Sequence, residues 1–118
     1  MITVIVFFKI PDGMTREEII PKFEQTTQKW SDNLDLIRKN YLIDIDRRIA
    51  GGVYLWKQKM HAEIWLGAEF RKMVKDNYGG EPTFQFFETP IVVDNIAGDI
   101  TKEWDLFVKK QFINVLRA

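Results

Sequence analysis

The run Ala50-Gly51-Gly52-Val53-Tyr54-Leu55-Trp56 limits the fold more than any other stretch of the chain. It carries no charge, opens on a glycine pair and closes on a large aromatic. Successive side chains of a strand point to opposite faces, so a half-buried strand alternates polar with apolar. Here Val53 and Leu55 on one parity and Tyr54 and Trp56 on the other all demand burial. That is the pattern of a strand in the middle of a sheet, covered on both faces. Ile2 to Phe8 reads the same way. Two interior strands are therefore predicted, and the rest of the chain must shelter them.

In chain order, Ile2 to Lys9 is a β-branched and aromatic strand, followed by turn chemistry at Pro11-Asp12-Gly13. Thr15 and Glu18 have the spacing of a capping box. Behind it Ile19, Ile20, Phe23, Thr27, Trp30 and Leu34 recur near helical spacing, with Pro21 marking a kink or a start of the helix. Ile37 to Asp46 alternates: Ile37, Tyr41, Ile43 and Ile45 share one parity, while Arg38, Asn40, Asp44 and Asp46 share the other. It reads as an edge strand. Gln58 to Leu66 and Ala68 to Asn77 are helices separated at Gly67 and ended by Gly79-Gly80-Glu81-Pro82. Thr83 to Thr89 is a last edge strand, and Ile91 to Ile96 continues extended. After Gly98, the spacing of Trp104, Val108, Phe112 and Val115 predicts a terminal amphipathic helix.

The order strand, helix, strand, strand, helix, strand predicts an α+β domain of ferredoxin-like split βαβ type. Its antiparallel sheet has the order 4-1-3-2 and helices on one face. The domain covers residues 1–97, with 98–118 as a helical extension. Two helix layers shelter one sheet face only, so a homodimer packed face to face is expected to cover the other. The alternative is a monomer whose C-terminal helix folds back over its own sheet.

Seventeen basic and seventeen acidic residues cancel, which leaves no electrostatic footprint for nucleic acid or an anionic membrane. There is no cysteine, so disulfides and thiolate chemistry are excluded. The apolar start, Met1 to Phe8, is too short to span a membrane and lacks the marks of a signal peptide, so a cytoplasmic protein is expected.

At Ala50 to Trp56, together with the following helix and the ending Phe84 to Asn95, the chain resembles the YdhR-like monooxygenases. These belong to the dimeric α+β barrel superfamily, beside the antibiotic-biosynthesis monooxygenases. The resemblance spans roughly residues 1–97. It implies two sheets closing into a barrel, a pocket in each subunit between sheet and helices, and oxygenation of a small aromatic or quinol-like compound without a cofactor. The haem-degrading sister group shares a Trp ending the third strand and an aromatic on the next helix, a spacing that Trp56, Trp65 and Phe70 match. Its haem-ligating His falls where this chain has Val74, and its polar amide falls in the wholly apolar Val4 to Phe8. Both departures speak against haem.

The residues themselves leave the chemistry open. His61 is the one histidine; it reads either as a helix residue facing solvent or as a pocket acid or base, and it is too isolated for a metal site. Trp30, Trp56, Trp65, Tyr54 and Phe70 read either as aromatic core or as a stacking pocket for a flat ligand, with Tyr41 adding a hydroxyl. Deprotonating a substrate would fall to His61, a Tyr hydroxyl, Arg47 or Arg48. The carboxylates Asp44, Asp46, Asp94 and Asp99 read as solvated, and no phosphate loop, nucleophile elbow or dinucleotide fingerprint is present. Two function classes follow: an oxygenase, or a ligand-binding or assembly dimer without turnover. An isomerase or lactonase-like reaction is a third possibility on the same scaffold.

Overall fold

The centre of the sheet is β1 (Ile2–Lys9), flanked by β3 (Ile49–Trp56) and β4 (Thr83–Glu88). The computed structural model describes residues 1–104. Outside β3 lies β2 (Leu36–Asp44), which gives the order β2-β3-β1-β4 with every pair antiparallel. The two strands read as interior thus occupy the middle. The helices α1 (Arg16–Ser31), α2 (Lys59–Trp65) and α3 (Ala68–Tyr78) pack on one face, over Val4, Val6 and Phe8 of β1 and Ala50, Tyr54 and Trp56 of β3. None of the described helices is long and apolar enough to cross a membrane.

Local chemistry accounts for the element ends. Thr15 Oγ1 accepts from the Glu18 amide at 3.2 Å and donates to the Glu18 carboxylate at 3.2 Å. Only the hydroxyl half of the capping box therefore serves a backbone amide. The helix runs from Arg16 straight through Pro21, so Pro21 costs one amide donor in the second turn and does not mark the start. Leu34 lies beyond the helix end and is exposed. Gly79, in the left-handed region at φ 84°, closes α3 by donating to the Lys75 carbonyl.

The edge strand departs from simple alternation. A register shift between Leu36 and Arg38 re-aims Ile37, and Ile45 falls in the turn after the strand, so both are exposed. The face of β2 beneath the helices carries Lys39, Tyr41 and Ile43, opposite Tyr54, Gly52 and Ala50. Arg48 takes a positive φ of 57° in the β2–β3 turn. Its guanidinium holds the β1–α1 loop by donating to the carbonyls of Pro11 (2.5 Å) and Met14 (2.9 Å).

Past β4 the chain forms a hairpin of β5 (Ile91–Asp94) and β6 (Asp99–Lys102). The Asp94 carboxylate accepts from the amides of Ile96 and Ala97, and Gly98 adopts φ 74°. A second strand therefore stands where the terminal helix was expected to begin. Val108, Phe112 and Val115 lie outside the described residues. The hairpin leans over one end of the sheet, where Leu55 becomes buried and Arg38 approaches Asp94 at 3.7 Å.

The glycine pair explains how β1 and β3 approach each other. A Cβ at Gly51 would overlap the Val6 carbonyl oxygen, whereas one at Gly80 would meet nothing. Gly51→Ala is expected to destabilise the fold by about 3 kcal/mol or more, because backbone rather than a flexible side chain would have to yield. Gly80→Ala is expected to stay within about 0.5 kcal/mol of wild type. Urea midpoints for the two variants check the contrast.

Candidate functional site

Strand alternation places four aromatics in one layer between sheet and helices. Tyr54 and Trp56, two apart on β3, stack with centroids 6.1 Å apart and planes 7° from parallel. Trp30 from α1 meets them edge-on at 5.2 and 6.1 Å, and Phe70 from α3 meets Tyr54 at 6.1 Å and 90°. These offset and edge geometries suit the ring quadrupole. The indole N–H groups of Trp30 and Trp56 are buried without a hydrogen-bond partner.

Lys39 reaches into this layer. Its Nζ stands 3.9 Å from the Tyr41 ring centroid, 4.5 Å from Tyr54 and 4.7 Å from Trp30. Lys29 approaches the same Trp30 ring at 5.0 Å. Among the described residues no carboxylate pairs with Lys39. Burial, with the Lys29 charge added, lowers the amine from its ordinary 10.5 to about 7. The ring faces act in the opposite sense, since each attracts a cation. Gly52 makes room for the stem: a Cβ there would sit 3.3 Å from Lys39 Cε and 3.2 Å from Tyr54 Cε1.

The hydroxyl beside the amine has a fixed direction. Thr26 Oγ1 lies 2.8 Å from the Phe23 carbonyl, which only accepts, so the single Thr26 hydroxyl proton goes there. Tyr41 Oη, 2.6 Å from the same Thr26 oxygen, must therefore be the donor in that pair. Its lone pairs remain free to accept. Burial raises the Tyr41 pKa and raises that of Tyr54 further. Tyr78 is pushed up to about 12, chiefly by burial. All three phenols are neutral near pH 7, and the amine is the group that titrates there.

These side chains line a cavity of about 70 Å³ between sheet, α1 and α3. Phe23, Tyr54, Phe70 and Tyr78 make its apolar walls, and Lys22, Gln25 and Asn77 add polar groups. Lys39 and Tyr41 also border a groove along Thr27, Trp30 and Ser31 of α1, so they partition cavity from groove.

Of the residues the sequence nominated, Tyr41, Tyr54 and Phe70 line this cavity. Trp30 borders the adjoining groove, and Trp56 is wholly buried behind Tyr54. Trp65 and His61 lie elsewhere, gathered on Asp35: Trp65 Nε1 donates to it at 3.0 Å, and His61 Nε2 stands 3.6 Å from it. Arg47 pairs with Asp44 at 2.6 Å, and Arg48 is committed to the loop carbonyls. Lys39 is the residue that alternation missed, although its parity with Tyr41 was readable. No group of three His, Cys, Asp or Glu side chains converges as a metal site among the described residues.

No family model matches this chain, and no curated protein does.

The half-buried amine has a consequence for stability. An unfolded lysine keeps its proton up to about pH 10.4 while the folded one releases it near 7, so between these values the unfolded chain binds more protons. Stability relative to Lys39→Met is expected to rise with pH across that window and to be lost as pH falls towards 7. Denaturation of both proteins from about pH 6 to 10 tests this. A difference independent of pH would show that Lys39 titrates normally.

Proposed function

We propose that the chain is a homodimer of the α+β barrel type that binds a small acidic aromatic, a phenol or quinol, and oxygenates it without a cofactor. The observation that carries this reading is Lys39, an amine titrating near pH 7 within an aromatic layer and beside a Tyr41 oxygen free to accept. A phenolic O–H matches the amine: its single proton can pass to the neutral Lys39, with Tyr41 available to a second hydroxyl of a quinol. The resulting ammonium then faces the aryl oxide that forms. That electron-rich anion can transfer an electron to dioxygen. Recombination forms a carbon–oxygen bond, and loss of water from the peroxide leaves a carbonyl.

A cavity of about 70 Å³ is smaller than a ring requires, so a ring would extend past Lys39 into the adjoining groove. Lys39 itself fills the aromatic cage when no ligand is present. That filled cage favours a second reading, a ligand-binding dimer without turnover. The resemblance to YdhR-like monooxygenases leads towards the oxygenase, and fold alone would not.

For the dimer, the support is the sheet face away from the helices. Ile5, Phe7, Leu42 and Val53 there are only half-buried, and Phe87 beside them is 51% exposed. A second sheet laid across them would bury apolar side chains worth about 1.5–3 kcal/mol each when fully covered. Sedimentation of a particle of twice 14.0 kDa is expected at micromolar concentration.

Dioxygen uptake over a panel of quinols tests the chemistry. Turnover is expected to fall about a hundredfold or more in Lys39→Met and to change less than about twofold in His61→Ala. Ligand quenching of tryptophan fluorescence without oxygen uptake would establish the binding module instead.

A further inference from the structure

We propose that the Lys39 amine is a nucleophile that condenses with small aliphatic aldehydes or ketones entering the cavity. The inference stands apart from the oxygenation reading, since it needs neither dioxygen nor an acidic ligand. Three features of the geometry lead to it.

The amine is held at ring faces of Trp30, Tyr41 and Tyr54, and no carboxylate among the described residues neutralises it. A second cation, Lys29, shares the Trp30 ring and discourages protonation further. Desolvation and a neighbouring cation are the two means by which proteins turn lysine into a nucleophile at neutral pH. The amine also borders a cavity of about 70 Å³, which suits a carbonyl compound of about three or four heavy atoms without rearrangement. The charged and titratable groups around it are Lys22 and Lys29 on α1, Tyr41 on its own strand, Tyr54 on β3 and Tyr78 on α3. Among the described residues none of these is an acid, so only the ring faces favour the ammonium form.

The step balances with nothing added. The nitrogen lone pair forms the carbon–nitrogen bond, and the carbonyl oxygen takes both amine hydrogens and leaves as water. The product is an imine on Lys39. Its protonated form withdraws electrons from the adjacent carbon, the setting for α-proton abstraction or decarboxylation of the bound compound.

Propanal with sodium cyanoborohydride, applied to the full chain without oxygen near pH 7, tests the proposal. The hydride reduces any imine to a stable propyl amine, which peptide mass mapping locates. Lys39 is expected to be labelled at least about tenfold faster than any other lysine. Its rate should level off above about pH 7, whereas that of exposed lysines such as Lys72 should climb towards pH 10. The Met1 amine, the primary amine besides those of the lysines, is buried and bound to Glu103 at 2.8 Å. Lys39→Arg should abolish the fast label while leaving the circular dichroism unchanged. If that variant does not fold, the rate comparison within the wild-type chain still decides. Labelling of Lys39 no faster than the surface lysines, or with their pH profile, would overturn the proposal. Quinol turnover is read separately by oxygen uptake, so either reading can fail alone.

Discussion

The contact on which the rest of the arrangement depends is the aromatic layer joining α1, β3 and α3. Tyr54 and Trp56 rise from one face of β3, Trp30 meets both edge-on, and Phe70 closes the far side of Tyr54. Large rings bury much area for few rotatable bonds, so one such layer fixes two helices on a sheet at modest entropic cost. The same layer sets the boundaries of the cavity. Trp56 is sealed in it completely, while Tyr54, one pleat along, forms the cavity wall.

The position of Lys39 follows from register. On β2 it lies opposite Tyr54, and its neighbour on the same face, Tyr41, lies opposite Gly52. A Cβ at 52 would crowd the lysine stem, at 3.3 Å from Lys39 Cε. The glycine pair thus serves two ends. Gly51 lets β3 approach the β1 backbone, and Gly52 leaves the gap that an amine can fill. Polar groups entering an aromatic core are ordinarily satisfied by hydrogen bonds, as Tyr41 is by Thr26. Lys39 is satisfied by ring faces instead.

Much of the framework was legible in the residues. Unbroken apolar runs marked the two middle strands, Thr15 and Gly79 marked helix ends, and Gly67 separated α2 from α3. The failures have physical causes. Pro21 sits where a helix loses a single amide donor, a loss that the burial of Ile19 and Phe23 on either side outweighs. The shift at Ile37 is a one-residue event that alternation cannot anticipate. The β5–β6 hairpin turns on the Asp94 side chain and the left-handed Gly98, while its strands are too short to show a period. Lys39 escaped notice because alternation treats a lysine as wet. Its carbon stem lets it share a face with Tyr41 and still reach the layer. His61, the one histidine, and Trp65, nominated where a helix meets the sheet, are gathered by tertiary packing on Asp35.

A half-buried cation without an anion needs a reason. Burial of an isolated ammonium is costly, and a protein avoids the cost by neutralising the group or pairing it. A methionine would fill the same gap with similar length and no such penalty. At Lys39 the chain keeps an amine and surrounds it with rings, a hydroxyl whose proton is committed to Thr26, and a small void. Packing alone does not require that combination, and it suits a ligand bearing an acidic proton or an electrophilic carbonyl. Both readings of the site therefore converge on one atom, Lys39 Nζ, and they differ only in whether it takes a proton from the ligand or forms a bond to carbon.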